Sequence, residues 1–334
     1  MPGTHHFFAL QSSFCSIGLI KPFKESILNK RLASLITAAA AAFLLCACQT
    51  QPVKTESVAP AGIDISKAPH SDIFDSPESV HWVPEVRAWF VSSMGGPDIL
   101  AKDNYGWISK LDEHGSVVTA RWVQQGLHAP GGICHLGKDL YVVDRDGIVV
   151  INIEKAAIVQ KIEMPGVVFP NDSACDPKDQ SVYVTDMSAN KIYRWKKGME
   201  KAEVWFDSTD LDTPNGIEID GSTMYVITWG PINDPSTSKT SRPGFLRSIN
   251  MKTKKLSLGT GAPLGNMDGI TKAGKYMYGT DWMGGRIFKF DEKKKPHVWA
   301  QGFSHIADVG YSEELKVIGI PEMSTNRVYF IEVK

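Results

Sequence analysis

Four segments of the sequence place an oxygen-bearing side chain at the same point of a recurring phrase: Glu78 in SPESVHW, Asn171 in FPNDSACDP, Asn215 in TPNGIEID and Asp268 in NMDGITK. Two carboxylates and two amide oxygens make an all-oxygen donor set with a formal charge of −2. Such a set suits one hard divalent cation, Ca²⁺ first and then Mg²⁺ or Mn²⁺; Zn²⁺, which favours sulfur and imidazole, fits less well. A single Asn-Gly or Asp-Gly is ordinary turn chemistry, because these residues tolerate positive φ. Recurrence at one place in a phrase, with a Glu that no turn requires, points instead to a shared site.

Residues as far apart as Glu78 and Asp268 share a site only if the intervening chain winds round a common axis, and a repeat supplies the winding. From residue 88 a strand phrase returns six times: AWFVSS at 88, LYVVD at 140, VYVTD at 182, MYVIT at 224, MYGTD at 277 and LKVIG at 315. Aligned on Trp89, Tyr141, Tyr183, Tyr225, Tyr278 and Lys316, the copies lie 52, 42, 42, 53 and 38 residues apart, the spacing of a radial β-array. A short apolar strand precedes each phrase and a third strand follows, as at 148–151 and 287–290; a fourth is clearest at 203–206 and 297–300. Four strands in each of six units predict an all-β chain folded as a six-bladed β-propeller. The long intervals contain Gly-, Pro- and Asp-rich insertions at 95–106 and 230–244. The last unit has three strands, so residues 63–69 are expected to supply its outer strand and close the ring, removing two free edges. In that architecture the unit openings, including APGGICH (129–135) and HIADVGY (305–311), line one mouth of the central channel.

Over about residues 70–334 the sequence resembles the senescence marker protein (regucalcin), gluconolactonase and lactonase-like family of six-bladed propellers, with paraoxonases more distant. The resemblance rests on Glu78 in PESVHW, Asn171 in FPNDSACDP, Asn215 in PNGIEID and Asp268 in MDGI. It implies a divalent cation in the channel held by Glu78, Asn215 and Asp268, with Asn171 as a further ligand or a substrate contact. It also implies hydrolysis of a small-molecule lactone or ester, the cation polarising the carbonyl while Asp268 assists the attacking water. Two departures bear on lactone specificity more than on the metal. Gly131 and Gly132 stand where some members place a substrate-contacting side chain, and the fourth unit reads Thr228-Trp229 rather than Thr-Asp. Because such propellers also include binding proteins, the alternative is a non-catalytic propeller that binds a sugar, peptide or envelope partner, its metal purely structural.

Other residues near the openings complete the candidates. His81, His128 and His305 could act as bases, although a His in such a position is most often a satisfied structural group. His128, in the loop before Pro130, is the candidate for substrate contact. Asp308 could add a carboxylate from the sixth unit, with the alignment there open by one residue. Cys134 and Cys175 read as two small buried hydrophobes, a disulfide being the alternative. The sequence holds no G-x-x-x-x-G-K-[ST], G-x-S-x-G, H-E-x-x-H or C-x-x-C, which leaves phosphate loops, serine-hydrolase elbows, zincins and thiol-redox sites without support.

The N-terminus reads as an address. Lys30 and Arg31 precede an uncharged stretch from Leu32 to Ala47, roughly 24 Å as a helix: short for a bilayer span and right for a secretory signal. It ends in Leu45-Cys46-Ala47-Cys48, which resembles a bacterial lipobox and makes Cys48 the lipidated first residue of the mature chain. The expected division is therefore a signal at 1–47, a flexible tether at 48–62 and the propeller at 63–334. Residues 1–28 are superfluous to such a signal, so translation is expected to begin near Leu28. Gln49 after the lipidated Cys favours an outer-membrane lipoprotein facing the periplasm, bound to membrane through its lipid alone and acting as a monomer. With 36 Lys+Arg against 37 Asp+Glu and a net charge of −1, the chain has no cationic surplus for nucleic acid.

Overall fold

In the repeated strands the side chains alternate between two neighbours, and both faces are apolar. Leu140 and Val142 pack with Phe90 and Ile108 of the preceding unit, while Tyr141 and Val143 pack with Val182 and Val184 of the next. A strand buried on both faces needs sheets on either side, and a ring of sheets provides them. In the computed structural model, which describes residues 65–333 apart from 97, 235–237 and 260–262, six four-stranded antiparallel sheets form that ring. Six apolar clusters fill the six interfaces, one between each pair of adjacent blades including the sixth and first.

The innermost strands are Pro77–Val83, Ile133–Leu136, Pro170–Asp176, Pro214–Asp220, Met267–Ala273 and Gly310–Ser312. Beside them run the repeated strands Ala88–Ser93, Asp139–Asp144, Ser181–Asp186, Thr223–Thr228, Tyr276–Asp281 and Val317–Glu322. Their pairing corrects the sequence alignment at both ends. Ser93, Asp186, Thr228 and Asp281 occupy the same ladder position, opposite Pro77, Pro170, Pro214 and Met267. Counting back from these ends, the partner of Tyr141 in blade one is Phe90 rather than Trp89, and in blade six Gly319 rather than Lys316. Aromatic identity drew the first alignment; the ladder sets the second.

The ring closes between the two ends of the domain, as expected, but over different residues. Ile65–Lys67 is a single 3₁₀ turn, and the closing strand is His70–Ser71, paired with Tyr329 and Val328. Pro69 explains the shift: it has no N–H to give a ladder and contributes only its carbonyl, which accepts from Phe330 N at 3.0 Å. At the channel, Asp308 N donates to the Glu78 carbonyl at 2.8 Å and joins blade six to blade one. The insertion at 230–244 carries a small hairpin, Ile232–Asp234 with Lys239–Thr240. Among the described residues no helix is long and apolar enough to cross a membrane. The signal, the tether and Cys48 lie outside the described residues.

Cys134 and Cys175 form a disulfide, with Cα atoms 5.6 Å apart, correcting the expectation of two free buried thiols. The two innermost strands that carry them are neighbours in the ring, in keeping with a 41-residue separation close to one repeat.

Candidate metal centre

Four of the six innermost strands break their ladder at one place. The register shifts between Pro77 and Val80, Pro170 and Ser173, Pro214 and Ile217, and Met267 and Ile270. Two residues therefore bulge from each of these four strands, and a bulge re-aims side chains away from the sheet. The first bulged residue is Glu78, Asn171, Asn215 or Asp268, so all four predicted ligands hold one structural position. Gly131 and Ala307 hold it in blades two and six: Gly131 N donates to Val143 O, and Ile306 bridges to Glu322. An added Cβ at Gly131 would lie 2.5 Å from the Asn171 carbonyl and 3.5 Å from Glu78 Oε2, so this sector of the ring admits no side chain.

The second bulged residue forms another ring: Ser79, Gly132, Asp172, Gly216, Gly269 and Asp308. Asp308 thus sits one step further along the channel than the four ligands, which resolves the alignment left open by the sequence. Asp308 Oδ2 accepts from Ser79 Oγ at 2.6 Å, and Asp172 Oδ2 accepts from Ile217 N at 2.8 Å, so both carboxylates bridge neighbouring blades. Hydroxyls on the repeated strands fix the bulges from behind. Thr185 Oγ1 accepts from Asp172 N and donates to the Asn215 carbonyl; Thr280 Oγ1 accepts from Gly269 N and donates to the Ala307 carbonyl.

All four predicted ligand side chains are buried: Glu78 is 2 % exposed, Asn215 2 %, Asp268 5 % and Asn171 7 %. Glu78 Oε2, Asn171 Oδ1 and Asn215 Oδ1 have no hydrogen-bond partner. Buried polar atoms without partners are rare because each costs about 1–3 kcal/mol, and three converging acceptors ask for something positive. The four residues therefore fit a hard divalent cation. Electrostatics agree. Burial raises Glu78 well above the usual carboxylate range, helped by Asp268, Asp308 and Asp172 and opposed by Arg145. Burial and Asp308 push Asp268 up to about 8, with a hydrogen bond from Asn215 opposing. A cation among them offsets both causes.

The histidines separate. His128 lies in the blade-two opening, with Nε2 3.1 Å from Asp146 Oδ2 and Nδ1 accepting from Asn104 N at 3.3 Å, so its ring ties the 95–106 insertion to blade two. His305 stacks on Trp282 at 3.9 Å on the same face as the four ligands. His81 is not at that mouth: it lies further down its strand, 2.7 Å from His135 Nδ1, in a cavity of about 510 Å³ at the channel's other end. Asp172 and Asp308 line that cavity and the four ligands do not. Burial pushes His81 down to about 3, with His135 adding to the effect. The single strand Pro77–Val83 thus carries Glu78 near one end of the channel and His81 into the cavity at the other.

Sequence reasoning missed a circle of residues just outside the ligands. The residue following each repeated strand is Met94, Arg145, Met187, Trp229, Trp282 or Met323. Five of the six N–H groups, all but that of Arg145, donate to the carbonyl two residues before the ligand-ring position in the same blade: Ser76, Phe169, Thr213, Asn266 and His305. The signal was present as the position after the strand-ending Ser, Asp, Thr or Glu, and becomes visible once the ladder sets the alignment.

Known proteins place the fold. A gluconolactonase from Xanthomonas campestris superposes with a TM-score of 0.58 at 14 % identity, covering 81 % of this chain and 91 % of its own. An auxiliary nutrient binding protein from Bacteroides thetaiotaomicron gives 0.57 at 13 %, covering 77 % and 69 %. A streptogramin B lyase gives 0.51 at 13 %, covering 78 % and 94 %. A comparison with curated sequences finds no match. The model of the SMP-30/Gluconolactonase/LRE-like region matches residues 76–307, a span that holds all four ligands, and the chain belongs to that family.

Proposed function

We propose that the protein is a divalent-metal-dependent hydrolase of a lactone or related ester, with Ca²⁺ the best-suited ion. The observation that carries this reading is the convergence of three unpartnered buried oxygens, Glu78 Oε2, Asn171 Oδ1 and Asn215 Oδ1, beside the Asp268 carboxylate. A cation held there supplies Lewis-acid polarisation of the substrate carbonyl. Glu78 and Asn215 orient it, and Asn171 stands beside them as ligand or substrate contact. Asp268 accepts the proton of the attacking water as the new C–O bond forms; the acyl C–O bond then breaks and the proton passes to the leaving alkoxide, so one water is consumed. His128, fixed between Asp146 and the 95–106 insertion, positions the rim of the mouth.

The test is hydrolysis of a lactone and ester panel with Ca²⁺, Mg²⁺, Mn²⁺ or Zn²⁺, comparing wild type with Asp268→Ala. Metal-dependent turnover that the variant loses supports the reading; metal binding without turnover on any substrate favours a binding propeller. The hairpin of the 230–244 insertion is the feature that favours that second reading, because Trp229 Nε1 donates to the Ser238 carbonyl and ties it to the ligand-bearing face. We also propose a lipid anchor at Cys48 in a bacterial envelope. A Cys48→Ser chain is expected in the soluble periplasmic fraction and the wild type with membranes.

A further inference from the structure

The circle outside the ligands is apolar at five positions and charged at one. On blades four to six its members touch. The Trp229 and Trp282 rings lie 5.5 Å apart, and Trp282 Nε1 donates to Met323 Sδ at 3.3 Å. Trp282 and Met323 remain partly exposed, so indole and thioether surface is open beside the strand openings of Asn266 and His305. On blade two stands Arg145, 8 % exposed, with its guanidinium 4.4 Å over the Phe169 ring. Its Nη2 donates to the Pro170 carbonyl at 2.9 Å, but its buried Nε has no acceptor. Adjacent Asp144 is not the missing partner, because its oxygens accept from the backbone N–H groups of His128, Ala129 and Arg145. The Asp144 and Glu78 carboxylates face the guanidinium charge, but the Nε–H remains a buried donor without an acceptor, which is costly, and an arriving oxyanion removes that cost.

We propose that the ligand of this mouth is an anionic amphiphile: a lactone or ester carrying a carboxylate or similar oxyanion for Arg145 and an aromatic or aliphatic body for Trp229, Trp282 and Met323. The ester or lactone part rests on the hydrolase reading above; the oxyanion and the apolar body rest on the outer circle alone. A planar guanidinium recognises carboxylate through charge-assisted hydrogen bonds, and indole and thioether surfaces reward apolar area. A neutral, polyhydroxylated lactone brings no oxyanion to Arg145 Nε and sets hydroxyls against Trp282.

The test uses the full chain and two matched pairs of probes, followed by tryptophan fluorescence with Ca²⁺ present. Phenylacetate against phenylacetamide reads the charge; phenylacetate against acetate reads the apolar body. Wild type is expected to favour phenylacetate in both comparisons by about tenfold or more. Arg145→Gln is expected to abolish the first preference and keep the second; Trp282→Ala does the reverse. Equal binding of phenylacetate and phenylacetamide by wild type overturns the proposal, and this comparison needs no variant to fold. Turnover separates the two readings. Hydrolysis that favours a neutral sugar lactone and is unchanged in Arg145→Gln sinks the ligand class and leaves the hydrolase standing. Phenylacetate selectivity lost in Arg145→Gln, with no ester or lactone turned over, sinks the hydrolase and leaves the ligand class standing.

Discussion

Asp268→Asn is expected to make the metal-free protein more stable at alkaline pH while removing its response to Ca²⁺. In the folded chain the Asp268 carboxyl is pushed from 3.8 up to about 8 by burial and by Asp308. The folded state therefore holds a proton that the unfolded state has released. This stabilisation is complete below about pH 4 and is lost as pH rises to about 8, so the metal-free protein weakens across that window. Asn cannot ionise and avoids the loss, keeping the shape and the contact with Asn215. Calcium reverses the order. Removing one charge from a divalent ion at about 2.4 Å forfeits about 3.5 kcal/mol even at the dielectric of bulk water, a loss of roughly two orders of magnitude in affinity. With Ca²⁺ at a hundred times the wild-type Kd, binding adds about 2.7 kcal/mol, or about 5 °C for a domain of this size; the variant gains less than about 1 °C. Differential scanning fluorimetry at pH 5 and 8, with chelator or Ca²⁺, measures all four quantities. Equal Ca²⁺ shifts in wild type and variant would refute the assignment of Asp268 as a ligand. A metal-free variant less stable than wild type at pH 8 would refute the electrostatic account.

Three further outcomes follow from the same channel. Glu218 faces the distal cavity and is pushed up to about 7 by burial, while Lys272 N and Ile219 N donate to it. It is partly exposed there, so Glu218→Gln is expected to raise stability at pH 8 by only about 1 kcal/mol, with no gain at pH 4; a larger gain at pH 4 would contradict this. Reduction of the Cys134–Cys175 bond, or Cys134→Ser with Cys175→Ser, should cost about 3–4 kcal/mol in urea unfolding through the loop that it closes, without moving Ca²⁺ affinity. An added Cβ at Gly132 would lie 2.2 Å from Asp172 Oδ1 and 2.6 Å from its Cα, so Gly132→Ala should cost about 3 kcal/mol and weaken metal binding; an unchanged melting temperature would show that the bulge yields freely.

What the sequence made legible was what repeats. The alternation in LYVVD and VYVTD, two apolar faces with a polar end, specifies a strand buried between sheets, and six copies specify the ring. Glu78, Asn171, Asn215 and Asp268 were legible because each follows a residue paired with the end of the repeated strand. Where a local cue competed with the repeat, it misled. Trp89 looked like the equivalent of Tyr141, but pairing depends on ladder position rather than on ring chemistry. His81 looked like an opening residue, but three further residues of extended chain carry it about 10 Å along the strand. Cys134 and Cys175 lie about one repeat apart, which put them on adjacent strands, but whether two thiols there bond depends on their exact approach, which the repeat does not set.

The same distinction explains why the metal was easier to infer than the substrate. The proposed cation ligands are the first bulged residues of four strands, a position set by the ladder and therefore by the repeat. A substrate is read by what surrounds that position, where the blades differ: Gly131 and Ala307 contribute no donor, and Arg145 is the single charge among Met94, Met187, Trp229, Trp282 and Met323. These are departures from the repeat, and each reads alone as a surface or core residue. Only when the ladder puts them on one circle does Arg145, with its unpartnered Nε, come near Glu78 and its unpartnered oxygen. One set of orphaned atoms asks for a cation and the other for an anion. A ligand that carries both an electrophilic carbonyl and an oxyanion answers the two demands in one binding event.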